Sequence, residues 1–185
     1  MPVWAWILIG VAIVLAAAAV FAVAEAKRRR QRTEHLRERF GPEYDRVVSD
    51  LESTRAAETE LEQRESRRHE LDIRPLEPEA RERFTEEWHA VQESFVDDPS
   101  HALRDADRLV HRVMTDRGYP MDDFEQRAAD ISVDHPDVVA TYRSAHAVFV
   151  SQREGTATTE DLRHAMVDYR ALFDELLAPD LAAVR

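Results

Sequence analysis

Glu86-Glu87-Trp88-His89 is the stretch of this sequence whose residue types and spacing look most like chemistry. Glu-x-x-His on a helix is half of the ligand set with which helical bundles hold two irons. Asp161-Leu162-Arg163-His164 repeats the spacing. Such ligands must point into the bundle, and helical geometry at about 100° per residue tests whether they do. The apolar arc of the first stretch centres on Trp88 with Phe84, Val91 and Phe95. Glu86 and His89 both fall roughly 150° from that centre. His164 lies opposite Leu162, Met166, Tyr169 and Phe173, and His111 opposite Ala106, Leu109 and Val113. These imidazoles are expected on wet faces, so the sequence offers no metal site, requires no cofactor and assigns no catalytic residue.

His146 is different, because it shares an apolar arc with Tyr142, Ala145 and Phe149. One reading is a core-edge histidine, neutral and hydrogen-bonded to a buried partner. The other is a ligand-binding or pH-sensing group in a pocket. Gln92 and Asp107 sit at the margins of their own arcs and could be partners, so the candidate pocket comprises Gln92, Asp107, Tyr142, His146 and Tyr169. Nucleophile elbow, P-loop, Gly-x-Gly-x-x-Gly and His-Glu-x-x-His motifs do not occur. Only three glycines follow the first segment (Gly41, Gly118 and Gly155), too few for a phosphate-cradling loop. In Arg117-Gly118-Tyr119-Pro120, Gly118 reads as a left-handed helix terminator with Tyr119 packing back on the core. With no cysteine there is no disulfide framework and no thiolate site.

The elements that would position these groups are helices. Abundant Ala, Leu, Glu and Arg with four glycines in 185 residues is a helix-former's composition. Apolar residues recur at i, i+3, i+4, i+7 over Glu79–Val96, Ser100–Arg117, Pro136–Arg153 and Thr159–Leu177, with a short helix over Asp122–Ala129. The start signals agree. Pro99 and Pro136 each sit at a first helical position, Asp122 and Glu125 have capping-box spacing, and Thr158 precedes Glu160 and Asp161. Upstream, Gly41-Pro42 interrupts the chain, and a helix of sparse apolar content is expected from Glu43 to Leu71. A heptad through Tyr44 and Leu51 next meets Glu58 and Glu65, so the coiled-coil signal is weak. Asp72–Pro78 (DIRPLEP) is a linker.

The first segment reads as a membrane anchor. Val3 to Ala24 is 22 residues without a charge, and a helix of about 20 residues crosses a hydrocarbon layer of about 30 Å. Trp4 and Trp6 stand at one end, where amphipathic rings favour the interface. Ala22-Val23-Ala24 fits a signal-peptidase pattern, but the segment lacks a basic n-region and its apolar core is too long. Lys27, Arg28, Arg29, Arg30 and Arg32 follow the run. They read as a stop-transfer flank or as recognition of anionic lipid, and by the positive-inside rule they place the C-terminal part in the cytoplasm and the N-terminus outside. These five against Glu25 give the first 32 residues +4, so the remainder carries −16 of the net −12. A part that acidic repels nucleic-acid backbones.

Five stretches resemble a family of uncharacterised membrane-anchored proteins common in actinobacteria: RFGPEYDR (39–46), WHAVQESFVDDP (88–99), RGYP (117–120), SVDHPDVVATYRSAH (132–146) and TEDLRHAMVDYRALFDELL (159–177). The resemblance implies an anchor followed by helices and a bacterial source. It implies no activity, because the family has none assigned, and no catalytic residue is carried over.

The expected architecture is therefore all-α: a single N-terminal transmembrane helix (1–24), a basic juxtamembrane segment (25–42), a charged stalk helix and linker (43–78), an antiparallel bundle of about four helices (79–178) and a tail (179–185). The expected role is an interaction or scaffold protein of the cell membrane, single-pass, whose partner is another protein. The alternative is a small-ligand sensor with its pocket near His146.

Overall fold

The computed structural model describes residues 3–178, with side chains described from residue 15 onward. All regular structure among the described residues is helical. The chain divides into two units, Met1–Arg39 and Phe40–Arg185. The first is formed by helix α1, Val3–Phe40. Among the described residues no helix is long and apolar enough to cross a membrane. More than half of the uncharged run Val3–Ala24 falls on residues 3–14, whose side chains lie outside the described residues, as does the tail at 179–185.

The second unit contains α2 (Pro42–Leu51), α3 (Thr54–Glu70), α4 (Pro78–Ser94), α5 (Pro99–Arg117), α6 (Phe124–Asp134), α7 (Val139–Arg153) and α8 (Thr159–Leu177). α5 lies centrally, packed against α4, α7 and α8, and α7 packs along α8. Their apolar stripes form one core, in which Trp88 stacks on Phe173 with ring centroids 4.7 Å apart. Burying side chains of this size contributes about 1.5–3 kcal/mol each. The caps that order these helices are local. Asp98 accepts from the His101 amide at 2.9 Å, and Thr158 and Asp161 exchange both bonds of a capping box.

Three sequence expectations need correction. First, residues 43–71 are not one helix. Glu52 turns left-handed at φ 51°, and the Ser53 hydroxyl accepts from the Ala56 amide to start a new helix. The resulting α2–α3 pair packs on itself, and α3 lies on α6, so this segment belongs to the second unit rather than forming a free stalk. α3 buries only Ala57 and Leu61. Charge does the rest: Arg67 bonds Asp130 at 2.9 Å and Arg68 pairs with Asp134. Second, α6 starts at Phe124 rather than Asp122, because Asp123 caps it, accepting from the Gln126 amide at 3.0 Å. It then runs on to Asp134, since Ile131 and Val133 are buried. Third, α7 starts at Val139, not Pro136; residues 136–138 form a turn behind His135, which caps α6.

Gly118 ends α5 at φ 93°. A Cβ there would collide with the Asp72 carbonyl, because the linker lies against this corner and the Arg74 amide donates to the Arg117 carbonyl at 2.9 Å. Tyr119 is buried behind it. Arg117, also buried, donates from Nη1 to the Leu176 carbonyl at 2.9 Å and so satisfies an orphan acceptor at the end of α8.

Candidate functional site

One polar group inside the bundle centres on Asp107 of α5, whose position at the edge of the apolar stripe leaves it buried. The Tyr169 hydroxyl, from α8, donates to Asp107 Oδ1 at 2.8 Å. Burial first, and then the Asp107 charge, push the Tyr169 phenol far above its ordinary range; it stays a donor at any physiological pH. Tyr142 of α7 stands edge-on to Tyr169, centroids 6.5 Å apart, and its hydroxyl accepts from Arg127 Nε at 3.4 Å. Burial raises the Tyr142 phenol too. Asp107, Tyr142 and Tyr169 thus form one buried network, joined to α6 through Arg127.

His111, one turn beyond Asp107, belongs to the same network, contrary to its expected place on a wet face. Its side chain is only 26 % exposed, and Nε2 lies 3.6 Å from Asp107 Oδ1. That nitrogen is buried without a hydrogen-bond partner. The reason is the central position of α5: with neighbours on three sides, its buried arc is wider than its apolar residues alone mark out. Burial holds the His111 imidazole below its usual range, against the pull of Asp107, and Arg127 adds to the lowering. The ring lines a shallow cleft of about 400 Å³ on the outer face of α5, with Val91, Asp105, Arg108 and Arg112.

His146 sits nearby but is not bonded into the network. Its ring lies flat on Phe124 at 3.6 Å between centroids, and Nδ1 is buried without a partner. Burial lowers its pKa, opposed by Asp107 and reinforced by Arg127 and His111. It lines a larger open cleft of about 760 Å³ between α2, α6 and α7, with Arg46, Asp50, Glu125 and Arg143 among the walls. Gln92 is apart from all of these. It accepts from Arg170 at 3.2 Å and lines a separate groove with Phe95, Met166 and Val167. The five residues grouped from sequence therefore do not make one pocket: three form a buried network, His146 borders a different cleft, and Gln92 belongs elsewhere. α4 and α7 each pack on α5, but Gln92 lies toward the end of α4 that faces α8.

Glu86 and His89 are exposed, as is His164, whose Nε2 pairs with Glu160 at 2.9 Å. Among the described residues no three histidines or carboxylates converge as a metal would require.

A second polar centre had no sequence signal. Glu43 of α2 has a side chain only 1 % exposed and is met by three arginines from three helices. Arg46 bonds it at 2.7 Å, Arg64 at 2.9 Å and Arg143 at 3.4 Å. Desolvation works against the charged form, but the bonds from Arg46 and Arg64 and the charges of Arg46 and Arg143 outweigh it and hold the carboxyl below its usual range. These residues lie 3, 21 and 100 positions from Glu43.

In the first unit, Lys27, Arg28, Arg29 and Arg30 are exposed on α1 and Arg32 is half-buried; Arg29 pairs with Glu25 at 3.1 Å. Compared with protein-family models, curated proteins and solved structures, the chain matches none.

Proposed function

We propose that this chain is a single-pass membrane protein whose helical bundle lies at the cytoplasmic face and docks another protein. The observation that carries the reading is the placement of the basic flank. Lys27 to Arg30 are consecutive, helical and exposed. At about 100° per residue, four consecutive positions cover the whole circumference of a helix within one turn. A collar of that kind suits a helix standing upright through a headgroup layer. A helix lying in the interface would carry its basic residues along one side. The 22 uncharged residues before the collar supply the length for a crossing, and the collar sets the orientation. The resemblance to membrane-anchored actinobacterial proteins agrees with this layout.

The docking role rests on charge. Beyond residue 32 the chain carries −16, and much of its interior polarity is engaged in cross-linking helices. Such a bundle steers toward a basic protein surface and away from nucleic acid. Cross-linking in intact membranes followed by affinity purification tests it. The reading expects a partner with a basic face that is retained at about 0.1 M salt and lost at about 1 M, where the screening length falls from about 10 Å to about 3 Å. Recovery of no protein above background, or retention indifferent to salt, contradicts it.

The cleft beside His146 favours a second reading, a small-ligand sensor, because a flat aromatic pair and two arginines face one open space. A metabolite that raises the unfolding temperature of the wild type but not of a His146→Ala variant would establish it; uniform indifference across a broad library removes it.

A further inference from the structure

We propose that His111 is a phosphoryl-accepting residue: Asp107 lies beside one ring nitrogen, and the other acts as a nucleophile in the arginine-flanked cleft that the ring lines. Four observations lead to this. Asp107 is buried and its Oδ1 is fixed by the Tyr169 hydroxyl at 2.8 Å, so the carboxylate cannot swing away. His111 Nε2 is buried, has no hydrogen-bond partner and lies 3.6 Å from that same oxygen. This is longer than a hydrogen bond, and such catalytic contacts tighten when the reacting group arrives. The ring lines the cleft, and with Nε2 turned to Asp107 Nδ1 is the nitrogen left to attack. Finally, Arg108 and Arg112 line the same cleft. They pair with Asp105, which also lines the cleft, and with Glu87, and their guanidinium forks match phosphoryl oxygens.

The chemistry follows from the tautomer. With the proton on Nε2, facing Asp107, Nδ1 carries a free lone pair. Because burial disfavours the imidazolium, that lone pair remains available at neutral pH. Nδ1 attacks phosphorus of an N-phosphoryl or acyl-phosphate donor. The N–P bond forms as the bond to the donor's leaving group breaks, and the leaving group departs with the bonding pair. The positive charge that develops on the ring is met at Nε2–H by the Asp107 carboxylate, which strengthens as an acceptor while the phosphoryl group transfers. No oxidant or reductant is needed. Arg127 and His146 also act on this region electrostatically, and neither occupies the cleft. A shallow cleft suits a donor carried by another protein, since it admits a phosphorylated side chain without enclosing a free metabolite. The assignment goes beyond the docking role and does not depend on the anchor.

Phosphoramidate, a small N-phosphoryl donor, tests it on the full chain in detergent micelles. Acid-labile, base-stable phosphate is followed by 31P NMR and mapped by mass spectrometry across the eight histidines. His111 should label fastest, ahead of the exposed His89 and His164. Asp107→Asn should slow His111 by about tenfold, the lower end of the loss seen when the partner behind a metal-bound imidazole is changed, while His89 and His164 keep their rates. If that variant does not fold, the wild type in concentrated urea serves: there all eight histidines should label alike. Labelling of His111 no faster than His89 or His164 in the folded chain overturns the proposal, as does selectivity that persists in urea.

Discussion

Replacing Glu43 by Gln removes the one negative charge on which Arg46, Arg64 and Arg143 converge. The side chain keeps its shape and loses only its charge, so the variant isolates the electrostatic contribution. Removing one partner of a buried ion pair costs about 3–5 kcal/mol, because the charges left behind have been desolvated without compensation. Here each arginine keeps a second acid. Arg46 retains Asp50, Arg64 retains Glu60 at 3.0 Å and Arg143 retains Glu125 at 2.6 Å. The cost should therefore fall at the lower end, about 3 kcal/mol, against a total stability of about 5–15 kcal/mol. At about 2–4 °C per kcal/mol for a chain of this size, the unfolding midpoint drops by about 6–12 °C. Urea unfolding of the full chain at neutral pH measures the loss. Hydrogen exchange locates it: α3 buries only two apolar residues, so its amides should lose protection before those of α5 and α8. The pH dependence carries the same sign. The folded carboxyl is held below its usual value, so its stabilisation is present above an unfolded pKa of about 4.3 and lost as pH falls through the folded value. The wild type should weaken more steeply across that window than the Gln variant, which keeps only the contributions of other carboxylates such as Glu160 and Asp161. A loss below about 1 kcal/mol, the worth of a surface pair, would show that Glu43 does not act as a buried ion-pair centre.

Gly118→Ala should destabilise by more than about 1 kcal/mol, the usual left-handed penalty, because the added Cβ also meets the Asp72 backbone; Gly155→Ala, with open space around it, should cost only that penalty, and chemical denaturation of the two variants compares them directly. The His146 ring should titrate below the ordinary value of about 6.5 when followed by NMR. Since the unfolded chain then binds the proton more readily, this contribution to stability is full above about 6.5 and declines as pH falls toward the folded pKa; a midpoint above 6.5 contradicts it.

Much of the bundle was legible because its helices announce themselves locally. Thr159–Leu177 has the same limits in sequence and structure, since Thr158, Glu160 and Asp161 mark its start and a dense apolar stripe runs its length. The α2–α3 break was not legible in the same way. It falls at Glu52-Ser53, without glycine or proline, and Ser53 is an N-cap candidate among many serines and threonines. The ion pairs that fasten α3 and Glu43 were invisible to periodicity, which registers apolar stripes and not the pairing of charges up to 100 residues apart. At the candidate site, the apolar arcs marked Asp107 and Tyr169 individually, but the bond between them depends on how α5 and α8 pack. His111 was misplaced for the complementary reason: a face can be buried by a neighbouring helix while its own residues are polar.

The proposed crossing of a membrane at the N-terminal run, with the bundle inside, has a direct test. The chain contains no cysteine, so single cysteines report topology without background. In intact cells, a membrane-impermeant maleimide should label Pro2→Cys, and should label Ser144→Cys, on the exposed face of α7, only after the cells are opened. Labelling of Ser144→Cys in intact cells, or recovery of the chain in the soluble fraction after an alkaline wash of the membranes, contradicts the account.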